Sequence, residues 1–211
     1  MDNLLPLFPL QLVVFPAEHL NLHIFEPRYR QLVKECEEEG ITFGIPAYIG
    51  GKVMEVATEV RLMSVEKRYP NGELDIKTEG AGLFRIREFY RTAPGKLYSA
   101  AEVEPLHFDM EGDATAGARI RELVSELFEL LHLHQKPGIS LEGLSTYSIG
   151  HHVGLNLEQE YEMLCIPGER ERQAWMEAHL QKLLPVAREM EKLRKKVQMN
   201  GHFKNIVPPK L

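Results

Sequence analysis

Prolines divide the N-terminal part of this chain into short apolar runs. The stretch from Leu5 to Tyr29 is interrupted at Pro9, Pro16 and Pro27. Because proline fixes φ and has no backbone N–H, it is confined to strand edges, turns and the first turn of helices. The runs therefore predict brief strands joined by tight corners, as at the start of a small barrel, followed by a helix that begins at Pro27.

As far as about Leu106, the hydrophobic pattern has mostly the period of two that is typical of half-buried antiparallel strands. Apolar and charged residues alternate from Leu74 to Thr78 and again from Phe84 to Arg87. Turn signals separate the strands: a hairpin at Gly50-Gly51, a reverse turn at Pro70-Asn71-Gly72, and a bend or bulge at Gly80-Ala81-Gly82. Several short strands at this spacing indicate a closed or nearly closed small barrel.

One helix interrupts the strand-rich part. Its apolar stripe has helical spacing, and Gly40 is the expected end. The stripe consists of Tyr29, Leu32, Val33 and Cys36.

After Leu106 the period changes to 3.6, which predicts a helical bundle. Four helices are predicted, the first capped by Asp113 or Thr115 and stopped by Pro137-Gly138. The second runs from after Ser140 to about Val153. A short third helix from Asn156 to Cys165 has a capping box to Gln159, and a long fourth helix runs from Glu169 to about Met199. The predicted fold class is therefore α+β. An N-terminal β-barrel with one inserted helix spans residues 1–110, a helical bundle with a long last helix spans 111–200, and a loose tail spans 201–211.

Composition narrows the function classes. The 211 residues carry a net charge of −6, which argues against a nonspecific nucleic-acid binder. No apolar run reaches the ~18 residues of a membrane span, and Met1-Asp2-Asn3 does not resemble the start of a secretory signal. Two cysteines, Cys36 and Cys165, cannot form a disulfide framework. We therefore expect a cytoplasmic protein that does not enter membranes.

Motifs of catalysis and metal binding are weak. Gly50-Gly51-Lys52 is not a phosphate-binding loop, because Pro46 stands where the first glycine is needed and Val53 follows the lysine. No serine lies in a Gly-x-Ser-x-Gly elbow, and the pair Ser148 and His151 is better explained as an ordinary helix pair. Neither His132 with His134 nor His151 with His152 shares a helix face, so neither pair alone supplies two ligands to a metal ion. We expect no enzyme activity, no cofactor and no metal.

Two groups of residues are candidates for binding. Aromatic side chains on strands or turns of the first half would suit an unfolded apolar peptide if they lined one groove, although most such residues pack in cores or strand pairs. They are Tyr48, Tyr69, Phe89, Tyr90 and Tyr98. The basic segment from Arg188 to Lys196 is best interpreted as a solvated helix face, with contact to nucleic acid or an acidic partner as the alternative.

A polar cluster surrounds the start of the first helix: His23, Glu26, Pro27, Arg28 and Tyr29. The structural interpretation is favoured over a functional site. In it Glu26 caps the helix, Arg28 pairs with a nearby acid and His23 lies in the barrel wall.

The opening pattern, LPLFPL followed by FP and LHIFEPRY, resembles the N-terminal substrate-binding domain of Lon proteases. Later stretches resemble the same domain in order and spacing, so that the resemblance covers about residues 4–198. They are Glu59–Glu66 with Tyr69–Gly72, Gly82–Ile86, Tyr98–Leu106, Ile149–Leu155, Leu157–Cys165 and Glu169–Arg172. The resemblance implies a PUA-like pseudobarrel followed by a helical bundle, used to engage protein substrates.

A full Lon protease adds an ATPase module and a Ser-Lys protease module. The resemblance therefore implies a stand-alone substrate-binding-domain protein that lacks both modules, a non-catalytic polypeptide-binding module that acts as an adaptor or substrate selector. Its partners would be unfolded or apolar polypeptide segments, together with a protease or chaperone. The alternative from a different class is an RNA-binding PUA-like protein, although the acidic balance makes nucleic acid the less favoured partner.

Overall fold

The computed structural model describes residues 4–133 and 145–202. The strands are β1 (Leu4–Leu7), β2 (His19–Ile24), β3 (Phe43–Ile49), β4 (Lys52–Arg68), β5 (Leu74–Tyr90) and β6 (Ser99–Leu106). The helices are α1 (Pro27–Glu39), α2 (Ala114–Leu130), α3 (Thr146–Ile149), α4 (Leu157–Leu164) and α5 (Glu169–His202), with one 3-10 turn at Gly150–His152. The α+β prediction, with strands first and a long last helix, is confirmed.

Five of the strands close into a barrel. The order of neighbours is β5, β4, β3, β1 and β6, and β6 pairs back onto β5. All of these pairs are antiparallel except β1 with β3, where Leu7 lies opposite Gly44. The sixth strand, β2, pairs with the first part of β5, from Leu74 to Glu79. The long β5 strand therefore has different neighbours along its length, β2 at its start and β6 towards its end.

The predicted turns are present. Gly50 and Gly51 have φ values of 56° and 82°, the positive values that a two-residue hairpin of this kind requires. A bulge lies at the predicted position in β5, because Glu59 pairs with Gly82 while the next residue of β4, Val60, pairs with Gly80.

The middle apolar run of the N-terminal stretch does not form the expected strand. The chain has no strand between Gln11 and Glu18. Val13 and Phe15 pack in the core shared with the helices, while Val14 packs in the core beneath α1. Since neither side of this segment faces solvent, it runs as irregular chain between two apolar cores. The Thr58 hydroxyl donates a hydrogen bond to the carbonyl oxygen of Val14.

Helix α1 forms as the sequence indicates. Pro27 occupies its first turn, Gly40 ends it with a φ of 69°, and the apolar stripe is buried. Glu26 stands at the N-cap position, but its side chain makes no capping hydrogen bond. Its carboxylate instead accepts a hydrogen bond of 2.8 Å from the Nε of Arg28. The expected capping role of the Glu26 side chain is therefore wrong, whereas the expected ion pair of Arg28 is present.

The helices pack on the barrel through a common core. Phe15, Val56 and Leu83 of the barrel half share an apolar cluster with Val124 of α2 and Leu180 of α5. Helices α2 and α4 have the predicted caps, from Asp113 and from the Asn156–Gln159 capping box. Of the helix predicted from after Ser140 to about Val153, the described part is α3, with Ser145 at its N-cap, and the 3-10 turn. Residues 134–144, which include the predicted stop at Pro137-Gly138, lie outside the described chain, as does most of the expected tail.

A buried ion pair joins the helices to the segment that leaves the barrel. The Arg172 side chain is 0% exposed, and its guanidinium lies 2.8 Å from the carboxylate of Glu169. It also donates hydrogen bonds to the carbonyl oxygens of Ile166 and Pro167, at 2.7 and 3.0 Å, and to that of Asp109. Each of these carbonyl groups lies outside a helix, so Arg172 holds irregular chain in place.

Candidate functional site: a groove where the barrel wall opens

The barrel wall opens between β4 and β5. The paired register of these strands ends at Val56 opposite Arg85. Beyond that point, Lys52 and Val53 of β4 pair with β3, and residues 86–90 of β5 pair with β6. Within the described chain, the two strand edges that face the opening have no strand partner on that side. Residues 86–90 of β5 therefore present a strand edge without a ladder partner, while on the β4 side the Val56 N–H donates a hydrogen bond of 3.2 Å to the Tyr161 hydroxyl.

A groove of about 1180 Å³ lies at this opening. Its lining comes from the segment after β1, the start of α1, the β3–β4 hairpin, the end of β5 and the start of β6. The lining residues are Pro9, Leu10, Gln11, Arg28, Tyr29, Tyr48, Gly51, Lys52, Val53, Met54, Glu55, Ile86, Arg87, Phe89, Arg91 and Ser99.

Apolar and aromatic groups form a large part of this lining. Tyr48 and Phe89 remain 38% and 39% exposed, although they are large apolar side chains. Tyr29 is buried, and its ring stacks on Phe8 with a centroid distance of 3.6 Å. A groove of this composition offers apolar contact surface that the protein itself does not cover.

The groove is locally positive in a protein whose net charge is −6. Four cations line it, Arg28, Lys52, Arg87 and Arg91, against the single carboxylate of Glu55. Arg28 pairs with Glu26 at 2.8 Å, and Arg87 pairs with Glu104. Lys52 and Arg91 form no ion pair with any residue that the structure describes.

A network centred on Glu35 fixes one side of the groove. Its carboxylate accepts hydrogen bonds from Gln31 at 3.0 Å, from Lys96 at 2.8 Å, and from the Tyr98 hydroxyl. Burial alone would raise the pKa of Glu35, but these hydrogen bonds outweigh it and the pKa is lowered. The network ties α1 to the segment between β5 and β6, so that the two ends of this segment, Arg91 and Ser99, are held at the groove.

The five predicted aromatic residues separate into groups. Tyr48 and Phe89 line the groove. Tyr90 is half-buried and its hydroxyl donates to Glu102 at 3.3 Å, so that it lies beside the groove without lining it. Tyr69 follows β4 and donates to Asp75 at 2.7 Å, away from the opening. Tyr98 is 3% exposed, which corrects its place among the peptide-contacting residues, because a core side chain offers no surface to a ligand.

The cluster around the start of α1 is also divided. His23 is exposed on β2, with its Nδ1 2.7 Å from Asp75 and its Nε2 3.2 Å from Glu73. The hydrogen bond to Asp75 is the main cause of its raised pKa. Arg28 and Tyr29 instead line the groove. Sequence reasoning did not connect these two residues with Tyr48 and Phe89, since only the closed barrel brings them together.

The other candidate chemistries find no support in the described chain. The Ser148 hydroxyl donates to the carbonyl oxygen of Ser145 at 2.7 Å, while His151 lies between Glu160 and Glu18, at 2.8 and 3.2 Å. Across residues 4–133 and 145–202, no three His, Cys, Asp or Glu residues are grouped as a metal ion requires, and His134 lies outside these ranges. Within the same ranges, none of the helices has the length and apolar character of a membrane span.

The basic end of α5 is largely neutralised. Arg188 donates to Glu126 of α2 at 2.6 and 2.9 Å, and Lys192 pairs with Glu189 at 2.6 Å. Lys195 lies 3.5 Å from Glu191. These pairs are typical of a solvated helix face, so the groove is the stronger candidate for binding a charged partner.

Comparison with known proteins agrees with this architecture. A family model described as the ATP-dependent protease La (LON) substrate-binding domain matches residues 4–184. The chain belongs to the LON substrate-binding domain family. This domain is the non-catalytic part of the protease.

Solved structures give the same result. A crystal structure of a Lon N-terminal domain protein from Xanthomonas campestris is 25% identical, with a TM-score of 0.64 over 83% of this chain and 98% of that one. The N-terminal domain of the Mycobacterium avium complex Lon protease shares the fold, with a TM-score of 0.63, 14% identity and coverage of 85% of this chain and 98% of that one. None of the curated proteins searched matches this chain.

Proposed function

We propose that this LON substrate-binding domain protein is a non-catalytic polypeptide-binding module, and that its groove holds unfolded or apolar segments of client proteins. The single observation that carries the proposal is the position of Tyr48 and Phe89. These two side chains are exposed on the lining of the same groove, at a point where the barrel wall is open. In this proposal the protein acts as an adaptor or substrate selector, presenting a bound segment to a protease or chaperone.

Binding to a permanently unfolded protein tests the proposal. Reduced, carboxymethylated α-lactalbumin carrying a fluorophore is titrated with the protein, and anisotropy gives the Kd. Replacing Tyr48 or Phe89 by alanine is expected to weaken binding by tenfold or more, because buried aromatic anchors contribute about 2 kcal/mol or more at such sites. Met63→Ala is the matched control, since Met63 is 49% exposed but does not line the groove.

Equal affinity of all three variants and the wild-type protein would contradict the proposed site. The cations and exposed aromatic rings of the groove also suit single-stranded RNA, which binds through phosphate contacts and base stacking. A labelled oligoribonucleotide at low salt is therefore titrated in parallel. Retention of RNA together with no binding of unfolded protein would favour the RNA-binding function instead.

A further inference from the structure

The free strand edges and the positive charge of the groove lead to a more specific conclusion about its ligand. We infer that the groove binds its polypeptide as an added β-strand and selects segments in which acidic residues flank apolar ones. This inference rests on the proposed function, because it specifies which polypeptide segments that site takes. It concerns two independent properties of the site, its backbone edges and its charge.

The backbone argument begins at residues 86–90 of β5. These residues pair with β6 on one side, while the ladder to β4 has already ended at Val56 and Arg85. An unpaired edge of this length presents backbone donors and acceptors over about 17 Å, at about 3.3 Å for each residue. Extended peptides bind such edges by main-chain hydrogen bonds, and specificity then comes from the alternate side chains.

The side-chain argument explains the apolar part of the ligand. Residues from both sides of the opening line the groove, including Met54 on β4 and Ile86 on β5. The side chains of an added strand would point alternately in opposite directions. One set can therefore contact apolar lining such as Tyr48 and Phe89, while the other set faces the rim.

The charge argument explains the acidic part. Of the four cations that line the groove, Lys52 and Arg91 are exposed and have no carboxylate partner in the part of the chain that the structure describes. Glu55 is the single acid of the lining. An incoming Asp or Glu next to the apolar residues would supply the missing charge, and complementary potentials of this kind set specificity and association rate.

A peptide satisfies this site better than a nucleic acid does. Phosphates could pair with the cations, but a nucleic acid has no main-chain amides spaced to continue a β-ladder. An acidic, apolar peptide uses the edge, the aromatic surface and the charges together. RNA therefore enters the test as an alternative outcome.

The experiment uses four labelled nine-residue peptides and the 211-residue chain. Three peptides have the same alternating Val and Leu core and differ in their flanking residues, which are Glu, Ser or Lys. The fourth is the Glu-flanked peptide with N-methyl groups on alternate core amides, which removes strand hydrogen bonds while keeping every side chain. We expect the Glu-flanked peptide to bind at least tenfold more tightly than the Lys-flanked one, with Ser between them, and N-methylation to weaken binding at least tenfold.

Charge reversal on the protein locates the effect. Lys52→Glu is expected to abolish the preference for the Glu-flanked peptide, while Lys182→Glu leaves it unchanged. Lys182 is a suitable control because it is also an exposed lysine but lies on α5, outside the groove. Circular dichroism of both variants checks that the fold is retained.

Each other result has a distinct meaning. Equal affinity for the three flanking types, lost on Phe89→Ala, overturns the acidic preference but leaves the proposed function intact. Full affinity of the N-methylated peptide overturns strand addition. If neither the peptides nor unfolded α-lactalbumin binds, the proposed function and this inference are both wrong, and binding of a labelled oligoribonucleotide would then assign the groove to RNA.

Discussion

Arg172 and Glu169 form a salt bridge in which both side chains are almost fully removed from solvent, with side-chain exposures of 0% and 2%. Glu169 also accepts hydrogen bonds from the backbone N–H and the hydroxyl of Thr146, at 2.8 and 2.7 Å. The guanidinium lies 4.0 Å from the centre of the Tyr147 ring. The pair therefore joins the beginnings of α3 and α5 to the chain that leaves the barrel.

Replacing Arg172 by methionine is expected to lower the free energy of unfolding by about 3–5 kcal/mol, because Glu169 would remain buried without its counter-ion. Urea denaturation followed by circular dichroism measures this change. The double variant R172M/E169Q should be less destabilised than R172M alone, since the unpaired charge is then also removed. A loss below about 1 kcal/mol for R172M would show that the pair does not hold this junction.

His151 makes stability depend on pH. Burial alone would lower its pKa, but hydrogen bonds to Glu160 and Glu18 raise it to about 9. Because this value is above the ordinary 6.5, the protonated imidazole stabilises the folded state. That contribution is complete below pH 6.5 and is lost as the pH rises through 9.

We therefore expect the melting temperature to fall between pH 6.5 and 9, and to fall less in His151→Gln. His23 contributes in the same direction, since its pKa is also raised, so the informative quantity is the difference between the two pH curves. NMR titration of the His151 ring gives its pKa directly. A ring that titrates near 6.5 would contradict the expected role of the two carboxylates.

Two glycines of the β5 bulge offer a matched pair of substitutions. A Cβ on Gly80 would lie 2.4 Å from the carbonyl oxygen of Phe15, whereas one on Gly82 would have no atom within 4 Å. Backbone cannot move as easily as a flexible side chain. Gly80→Ala should therefore destabilise the protein by about 1–3 kcal/mol, while Gly82→Ala should change stability by less than about 0.5 kcal/mol. Equal effects in urea denaturation would contradict this geometry.

The two cysteines should differ in reactivity. Cys36 is buried on α1, and burial raises the pKa of its thiol to about 12, with Glu35 adding to the effect. Burial raises the pKa of the Cys165 thiol as well, but Cys165 is exposed, so a reagent can reach it in the folded protein. A disulfide reagent should therefore modify Cys165 in the native protein and Cys36 only as the protein unfolds. The Cys165→Ser variant should therefore show no rapid phase, and a rapid phase there would contradict the burial of Cys36.

Features set by local sequence were predictable. Pro27 and Gly40 delimit α1, the two glycines of the β3–β4 hairpin adopt positive φ, and Asn156 caps α4, all because the cause lies within a few residues. The family resemblance predicted the barrel and the helices that follow it. Glu169–Arg172 belongs to a stretch that resembles the family, but nothing in the sequence indicated that the pair is buried, since an acid and a base three residues apart are usual on an exposed helix face.

The groove could not be predicted without the closed barrel. Alternation alone does not fix which face an aromatic residue occupies when bulges shift the register, as they do in β4 and β5. Tyr98 is therefore in the core, whereas Phe89 lies at the groove. The opening itself arises where β4 and β5 take different partners, a relationship between residues about 30 positions apart that no short motif records.

No residue of α2, α3, α4 or α5 in the described chain lines the groove, whose lining comes from the barrel strands, the segments after β1 and β5, and the start of α1. A client bound in the groove as proposed would leave the outer surfaces of these four helices unoccupied. A second protein could bind to these helices without contacting the groove, so this chain, a client and a second protein could form one complex without steric overlap. Binding of the client and binding of the second protein would then be separate events, and a mutation could change the affinity for one without loss of the other.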